Sequence, residues 1–138
     1  LLRLELVLEL LEKSGPAFRS GEPFVDCVRT GLCAELLKNC TSSVMPVVSL
    51  SLRIFVALTR HFKDHLKSEV EVFVTRIFLR ILESENRSHE QKMLVLEVFY
   101  DLCTDPRALV EIFLNYDCDL YAIDLFKRIV ASMAKVAK

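Results

Sequence analysis

Turn-forming residues are scarce in this chain, and that scarcity limits its fold more than any other feature. The 138 residues include only three glycines and four prolines. Gly15, Pro16, Gly21 and Pro23 lie together in one predicted loop. Because glycine and proline interrupt regular structure most strongly, we expect the rest of the chain to form long helices joined by tight connections. The sequence therefore predicts an all-α protein.

Apolar spacing and helix-start residues predict about seven helices. Between Val70 and Ile81, apolar side chains recur at intervals of three and four, which is the periodicity of one helix face. Ser88 with Gln91 forms a capping box, and Asp105 precedes a first-turn proline. The approximate predicted ranges are 1–12, 23–38, 44–62, 67–83, 89–103, 105–115 and 120–137.

One segment carries a conflicting signal. Residues 48–54 alternate apolar and polar side chains, the pattern of a half-buried strand. The apolar run continues to Leu58 without a turn residue, so a strand here would be unusually long, and no partner strand is evident nearby. We therefore predict a helix for this segment.

The connections between the predicted helices are short, so neighbouring helices should pack antiparallel. Pairing them gives hairpins that start near residues 1, 43 and 88, a spacing of about 43–45 residues that is typical of HEAT and armadillo repeats. The predicted fold is a short α-solenoid of antiparallel helical hairpins, HEAT/armadillo-like. Residues 1–138 are expected to form a single helical domain.

Hydrophobic residues make up 52% of the chain. Such an excess suggests helix faces that pack against neighbours. An apolar pattern already under way at Leu1, and no terminal signal at Lys138, suggest a fragment of a larger protein. The formal net charge of -1 argues against binding nucleic acid. No transmembrane segment is predicted, because charges interrupt the short apolar run 1–11.

The cysteines do not have the spacing of a metal site. The five cysteines are Cys27, Cys33, Cys40, Cys103 and Cys118, and no two of them form a Cys-x-x-Cys pair. They lie mostly within apolar patterns, which favours reduced, buried thiols in a cytosolic protein. We predict neither a metal nor any other cofactor.

A second candidate cluster surrounds two histidines. His61 and His65 are four residues apart and could share a helix face, but the flanking glutamate of a His-Glu-x-x-His zinc site is missing. With Arg60, Lys63 and Lys67 they form a basic group that could contact anionic lipid headgroups. The favoured interpretation is a solvated turn between helices.

No catalytic motif is present. The three glycines do not form a phosphate-binding loop, and there is no Gly-x-Ser-x-Gly nucleophile turn. The sequence offers no group of residues that could bind and activate a substrate. We therefore predict that this chain is not an enzyme.

A dense polar break separates two apolar, helix-patterned segments near the end of the chain. It consists of Asn115, Tyr116, Asp117, Cys118 and Asp119, and we call these five residues the box. One interpretation is structural: the Asn and Asp side chains build a turn, Asp119 caps the last helix, Tyr116 buries its ring and Cys118 packs as a small hydrophobe. The other is docking, with Asn115, Asp117 and Asp119 presented to a partner. We favour the structural interpretation, and both hold if the ordered turn positions a docking surface.

The box resembles the Asn-(Tyr/Phe)-Asp-Cys-Asp signature of the HUS region (homology upstream of the catalytic domain) of large, brefeldin-A-inhibited Arf guanine-nucleotide exchange factors. The Gly-Pro-Ala-Phe-Arg segment 15–19 is similar to a turn of that family. The segments 50–55, 65–73 and 125–130 are similar to its helices. The resemblance covers nearly the whole chain.

The resemblance implies a non-catalytic, regulatory and scaffolding role in Golgi vesicle traffic. The implied partners are the neighbouring DCB domain (dimerisation and cyclophilin-binding) of the same protein, the exchange domain, and small GTPases of the Arf and Arf-like class. It also implies a cytoplasmic protein, peripheral at Golgi or trans-Golgi membranes. Phe113 and residues 125–130 are the expected packing support of the box.

The sequence leaves a second function class open. A general α-solenoid adaptor would hold a peptide or helix of another protein in a groove. A continuous concave apolar groove would favour that function. A small enzyme is a third class, and it would need a pocket with converging polar groups.

Overall fold

The computed structural model describes residues 1–120 and 123–137, and of Lys63 it describes only the backbone. Within these ranges the chain contains helices and turns but no strand. The prediction of an all-α fold is therefore confirmed, and the helical content is consistent with the predicted α-solenoid class.

The described residues form ten α-helical segments. In chain order they are α1 (Leu2–Lys13), α2 (Pro16–Ser20), α3 (Glu22–Cys27), α4 (Cys33–Asn39), α5 (Met45–His61), α6 (Lys67–Phe73), α7 (Arg80–Glu83), α8 (His89–Cys103), α9 (Pro106–Ile112) and α10 (Leu125–Val136). A π-helical turn, Val28–Leu32, joins α3 to α4, and another, Val74–Leu79, joins α6 to α7. A third, Phe113–Asp117, follows α9, and a 3-10 turn, Lys63–His65, follows α5.

These segments correspond to the seven predicted helices, with two differences. When α-helices joined by a π-turn are taken together, each predicted range corresponds to one described helix. The first difference is α2, which occupies a segment that we predicted to be a loop. The second is the start of the last helix, which begins at Leu125 and not directly after Asp119.

Helix α2 forms because an apolar side chain anchors it. Pro16 occupies its first turn, where the missing proline N–H is not needed. The ring of Phe18 lies 4.8 Å from the ring of Phe24 and 6.0 Å from that of Phe62, centroid to centroid. Proline and glycine spacing gave no sign of these contacts, because Phe62 is distant in the sequence.

The chain divides into two compact units, Leu1–Val70 and Glu71–Lys138. In the first unit, α1 and α4 pack against α5. The buried apolar side chains of this unit are Leu8, Leu11, Val25, Val28, Cys33, Leu36, Cys40, Val48, Leu52, Ile54, Phe55, Val56, Ala57, Leu58, Phe62 and Leu66. The single-domain organisation stays a prediction.

The segment with the strand-like pattern is helical, as predicted. It lies inside α5, where most of its residues from Val48 to Leu58 are buried. Ser51 is fully buried on this helix, and its hydroxyl donates to the Val47 carbonyl oxygen at 2.7 Å. Because serine satisfies its own hydrogen-bonding group in this way, a polar residue fits in a buried position, and the alternation does not indicate a strand.

The second unit contains the later part of α6 and the helices that follow it. Helix α7 packs against both α8 and α10. The ring of Phe78 contacts those of Phe73 and Phe99 edge-on, with centroids 5.7 and 5.1 Å apart. The apolar positions predicted for one face of this helix, Phe73, Val74, Ile77, Phe78 and Ile81, are all buried, whereas Val70 is half-buried.

Both predicted N-cap residues, Ser88 and Asp105, cap their helices in this unit. The Ser88 hydroxyl accepts a hydrogen bond from the Gln91 N–H at 3.2 Å, at the start of α8. The Asp105 carboxylate accepts from the Arg107 N–H at 3.0 Å, at the start of α9. Among the described residues, no helix is both long enough and apolar enough to cross a bilayer.

Candidate docking site

The box begins in the π-helical turn that follows α9. The Cys118 N–H donates to the Phe113 carbonyl oxygen, five residues earlier, at 3.1 Å. This wider hydrogen-bonded turn accommodates one more residue than an α-helical turn, and such turns occur frequently at functional sites. Asn115, Tyr116 and Asp117 lie within it.

From this turn Tyr116 is directed into the interior. Only 4% of its surface is exposed, so the prediction that its ring is buried is confirmed. A buried tyrosine combines a large apolar ring with a hydroxyl that needs a partner. The residue therefore anchors the box against the second unit's core.

Asp117 connects the box to the start of α10. One carboxylate oxygen accepts from the Phe126 N–H at 2.8 Å, and the other accepts from the Lys127 N–H at 3.1 Å. The first N–H groups of a helix have no partner within that helix, and a negative charge there is favourable. Asp124 occupies the N-cap position but makes no side-chain capping bond. Asp117 thus caps α10 from nine residues upstream.

Two predictions about the box are wrong. Asp119 does not cap the last helix, because that helix begins six residues later, at Leu125, where Asp117 binds its free N–H groups. Cys118 is exposed and does not pack as a small hydrophobe. Asn115 is exposed and Asp119 is half-buried.

Apolar side chains around the box are exposed. Phe113 and Leu114 are 47% and 56% exposed, and Leu120 is 95% exposed. The Phe113 ring lies edge-on to the Phe126 ring, with the ring centroids 6.2 Å apart. This contact joins the turn that contains the start of the box to α10, and both residues belong to the expected packing support. We call Phe113, Leu114, Asn115 and Leu120 the box surface.

An apolar groove lies beside the box in the same unit. It has a volume of about 250 Å³. Its walls come from the end of α8, from α9 and from α10, and they are formed by Phe99, Leu102, Cys103, Leu109, Ile112, Phe126, Ile129, Val130 and Met133. The sequence carries one signal of this groove that did not enter our predictions: residues 126, 129, 130 and 133 have the spacing of one face of α10.

The histidine cluster does not form a metal site in the described part of the chain. Helix α5 ends at His61, and His65 is the last residue of the 3-10 turn that follows, so the two histidines do not share a face of one α-helix. The pKa of His61 is lowered by partial burial and by the nearby cations Arg19 and Arg60. No group of three or more His, Cys, Asp or Glu side chains converges among the described residues.

The basic group predicted around these histidines is only partly described. Arg60 and Lys67 are exposed, whereas the Lys63 side chain lies outside the described part of the structure. Lipid contact at this group stays a prediction.

The cysteines divide into two classes. Burial raises the pKa of Cys33 to about 11, with a further contribution from Glu69, and burial raises the pKa of Cys40 to about 12. Cys27, Cys103 and Cys118 are exposed. The prediction that most of the cysteines are buried is therefore wrong.

Comparison with known proteins identifies the family. The model of the "Mon2/Sec7/BIG1-like, HUS domain" family matches residues 1–125. Brefeldin A-inhibited guanine nucleotide-exchange protein 1 of rat and of human are each 43% identical over 138 residues. The corresponding protein 2 of Arabidopsis thaliana is 42% identical over 139 residues.

These alignments include 100% of this chain but only 8% of each relative, so the chain spans a small part of the relatives' length. No solved structure matches the chain. The family match covers the box and most of the helices, and the resemblance stated from the sequence is confirmed. The chain therefore belongs to the Mon2/Sec7/BIG1-like HUS domain family.

Proposed function

We propose that this chain is a non-catalytic regulatory and scaffolding domain of a large Arf guanine-nucleotide exchange factor. It acts in Golgi vesicle traffic through intramolecular and partner docking. Family membership supports this proposal, because the relatives are named as guanine nucleotide-exchange proteins and this chain aligns with 8% of their length.

The observation that carries the proposal is that residues of the box make internal contacts while the apolar residues on either side of it are exposed. Asp117 is committed to the start of α10, and Tyr116 is committed to the core. Phe113, Leu114 and Leu120 remain exposed around them. Exposed apolar side chains on an ordered turn are suited to protein contact. The structural and docking roles of the box are therefore compatible.

The expected partner of the box surface is the DCB domain of the same protein. The exchange domain and small GTPases of the Arf and Arf-like class are further expected partners. Docking of this kind would place the domain in the cytoplasm, at the surface of Golgi or trans-Golgi membranes.

Binding of the purified chain to a separately expressed DCB domain tests the docking role. The double variant Leu114→Ser with Leu120→Ser should weaken binding about tenfold or more if these side chains are central contacts. A matched control is Val44→Ser with Met93→Ser, which removes two exposed apolar side chains elsewhere. Equal losses in both variants, or no binding by the unmodified chain, would contradict the proposal.

The non-catalytic role has its own test. Nucleotide release from an Arf GTPase should proceed at its spontaneous rate when the purified chain is added. The reason is that the sequence contains no segment resembling the catalytic glutamate loop of the exchange domain. Release clearly faster than the spontaneous rate would show that the regulatory role is not the whole function.

The apolar groove favours a second function, that of a general adaptor. Its walls come from three helices, so it could accept the apolar face of a helix from another protein. The variant Val130→Glu places a charge on the groove wall without altering the box surface. If that variant loses DCB binding while the box-surface variant retains it, the adaptor function is the better description.

A further inference from the structure

Positive charge is concentrated on two packed elements of the second unit. The segment from Val74 to Glu83 and helix α10 carry five cations and one carboxylate: Arg76, Arg80, Lys127, Arg128 and Lys135, against Glu83. Helix α10 packs against α7. The whole chain has a net charge of -1, so these two segments differ in the sign of their charge from the rest of the chain. A local excess of one sign attracts ligands of the opposite sign.

Within this region, Arg76 and Arg80 are one helical turn apart and both are exposed. Among the described residues, neither of them forms an ion pair. Like charges at this spacing repel each other, which disfavours the helix. The pair is therefore cationic, and neither guanidinium group is neutralised by an ion pair in the described part of the chain.

The carboxylate that could neutralise these arginines is held by another contact. The Ser132 hydroxyl of α10 donates to a Glu83 carboxylate oxygen at 2.8 Å. This hydrogen bond fixes the carboxylate towards α10, and the structure shows no ion pair between Glu83 and Arg80 in the part that it describes. Both guanidinium groups are left available for a ligand.

The arginines line a surface cleft of about 540 Å³ together with Thr75, Glu83 and Ser84. The Thr75 hydroxyl already donates to the Glu71 carbonyl oxygen at 2.7 Å. The Ser84 hydroxyl has no hydrogen-bond partner within the described ranges, and it can donate to a ligand. The cleft thus offers two guanidinium groups and one hydroxyl to a ligand, and the one carboxylate among its lining residues, that of Glu83, is hydrogen-bonded to Ser132.

We infer that this cleft binds a phosphate group, carried by a lipid headgroup or free in solution. The planar guanidinium group matches the oxygens of a phosphate with paired hydrogen bonds. A phosphate monoester presents three acceptor oxygens and close to two negative charges. It can accept from both arginines and from Ser84 at once, whereas a carboxylate has only two oxygens. This site is independent of the box surface and of DCB docking.

Two titrations of the 138-residue chain test the inference and distinguish the two sources. In the first, inorganic phosphate is added while the side-chain NMR signals of the arginines are followed, with acetate as the comparison. In the second, vesicles of phosphatidylcholine with phosphatidic acid are compared with vesicles of phosphatidylcholine alone. Binding only in the first titration identifies a soluble ligand, and binding in the second identifies a lipid.

The double variant Arg76→Gln with Arg80→Gln should lower the affinity for phosphate about tenfold or more, because each lost charged hydrogen bond contributes substantially. The control Arg53→Gln with Arg107→Gln removes two exposed cations from other helices and should leave binding unchanged. The variant Arg76→Lys with Arg80→Lys keeps both positive charges but loses the paired N–H donors of the guanidinium group. It should bind phosphate with an affinity between those of the unmodified chain and the glutamine variant.

Circular dichroism of each variant confirms that it is folded. No binding in either titration, acetate binding as strong as phosphate binding, or an equal loss in the control variant would overturn the inference.

Discussion

Two breaks in the run of long helices, residues 14–21 and the box, are held by different interactions. In the first, Phe18 packs its ring against Phe24 and Phe62, and the segment folds into the short helix α2. In the second, Asp117 binds two backbone N–H groups of α10 through its carboxylate. The first break is therefore ordered by apolar contact, whereas the second also uses a charged hydrogen-bond acceptor beside its buried Tyr116 ring.

The difference explains what each break can present to a partner. In the first break, the most apolar residue, Phe18, contacts rings of the same unit and is not left for a partner. At the box, the Asp117 carboxylate and the Tyr116 ring are used internally, and the flanking apolar residues Phe113, Leu114 and Leu120 stay exposed. Exposed apolar surface often marks a site of protein–protein contact. The second break is therefore the better candidate for docking.

The largest effect is expected when the apolar anchor is removed. Phe18→Ala should lower the free energy of unfolding by about 3 kcal/mol, since it deletes a partly buried ring that two other rings contact. Urea unfolding followed by circular dichroism measures the change. Phe18→Leu is the control, and it should lose only about 1 kcal/mol because it keeps apolar volume. Equal losses would mean that the ring contacts do not hold this break.

Removing the charged acceptor should have the next largest effect. Asp117→Ala should lower the free energy of unfolding by about 2 kcal/mol, because two N–H groups at the start of α10 lose their partner. The matched control is Asp124→Ala, at the N-cap position without a capping bond, which should change stability by less than about 0.5 kcal/mol. The reverse order of these two variants would show that Asp124 is the true cap.

Gly21→Ala tests the first break through its backbone. A Cβ atom at this position would lie 2.8 Å from the Ala17 carbonyl oxygen and 2.9 Å from the Phe24 ring. We expect a loss of about 1 kcal/mol or more in the same unfolding experiment, because the backbone oxygen cannot move freely. Gly15→Ala is the control, since no atom lies within 4 Å of the added Cβ. If both variants unfold alike, the close approach at Gly21 is not limiting.

The smallest stability effect is expected at Asn115. The sequence suggested that this side chain builds the turn, but it is exposed. Asn115→Ala should therefore change the free energy of unfolding by less than about 0.5 kcal/mol. A loss comparable to that of Asp117→Ala would mean that Asn115 shares the structural role, and it would weaken the contrast between its position and that of Asp117.

Structure that depends on short-range contacts was readable from the sequence. The caps at Ser88 and Asp105 join residues two or three apart, so their residue types and spacing were sufficient. The same holds for the buried face of the helix from Phe73 to Ile81, because helical periodicity alone selects it. The box follows α9 and precedes α10, but Asn115, Tyr116 and Asp117 lie in the π-helical turn that continues α9.

Contacts between residues far apart in the sequence were not readable. The sequence indicated a cap for the last helix but assigned it to Asp119, the acidic residue nearer the expected helix start. The true acceptor, Asp117, is nine residues from Phe126, and no local spacing rule connects them.

The sequence by itself determined the all-α fold, most helix boundaries, the absence of a catalytic motif and the family. These depend on residue type and on periodicity, which act over a few neighbouring positions. Only the tertiary structure decided that α2 is a helix, that Asp117 holds α10, and that apolar side chains remain exposed at the box. Each of these depends on which distant groups come into contact, and burial and hydrogen bonding are properties of that final arrangement.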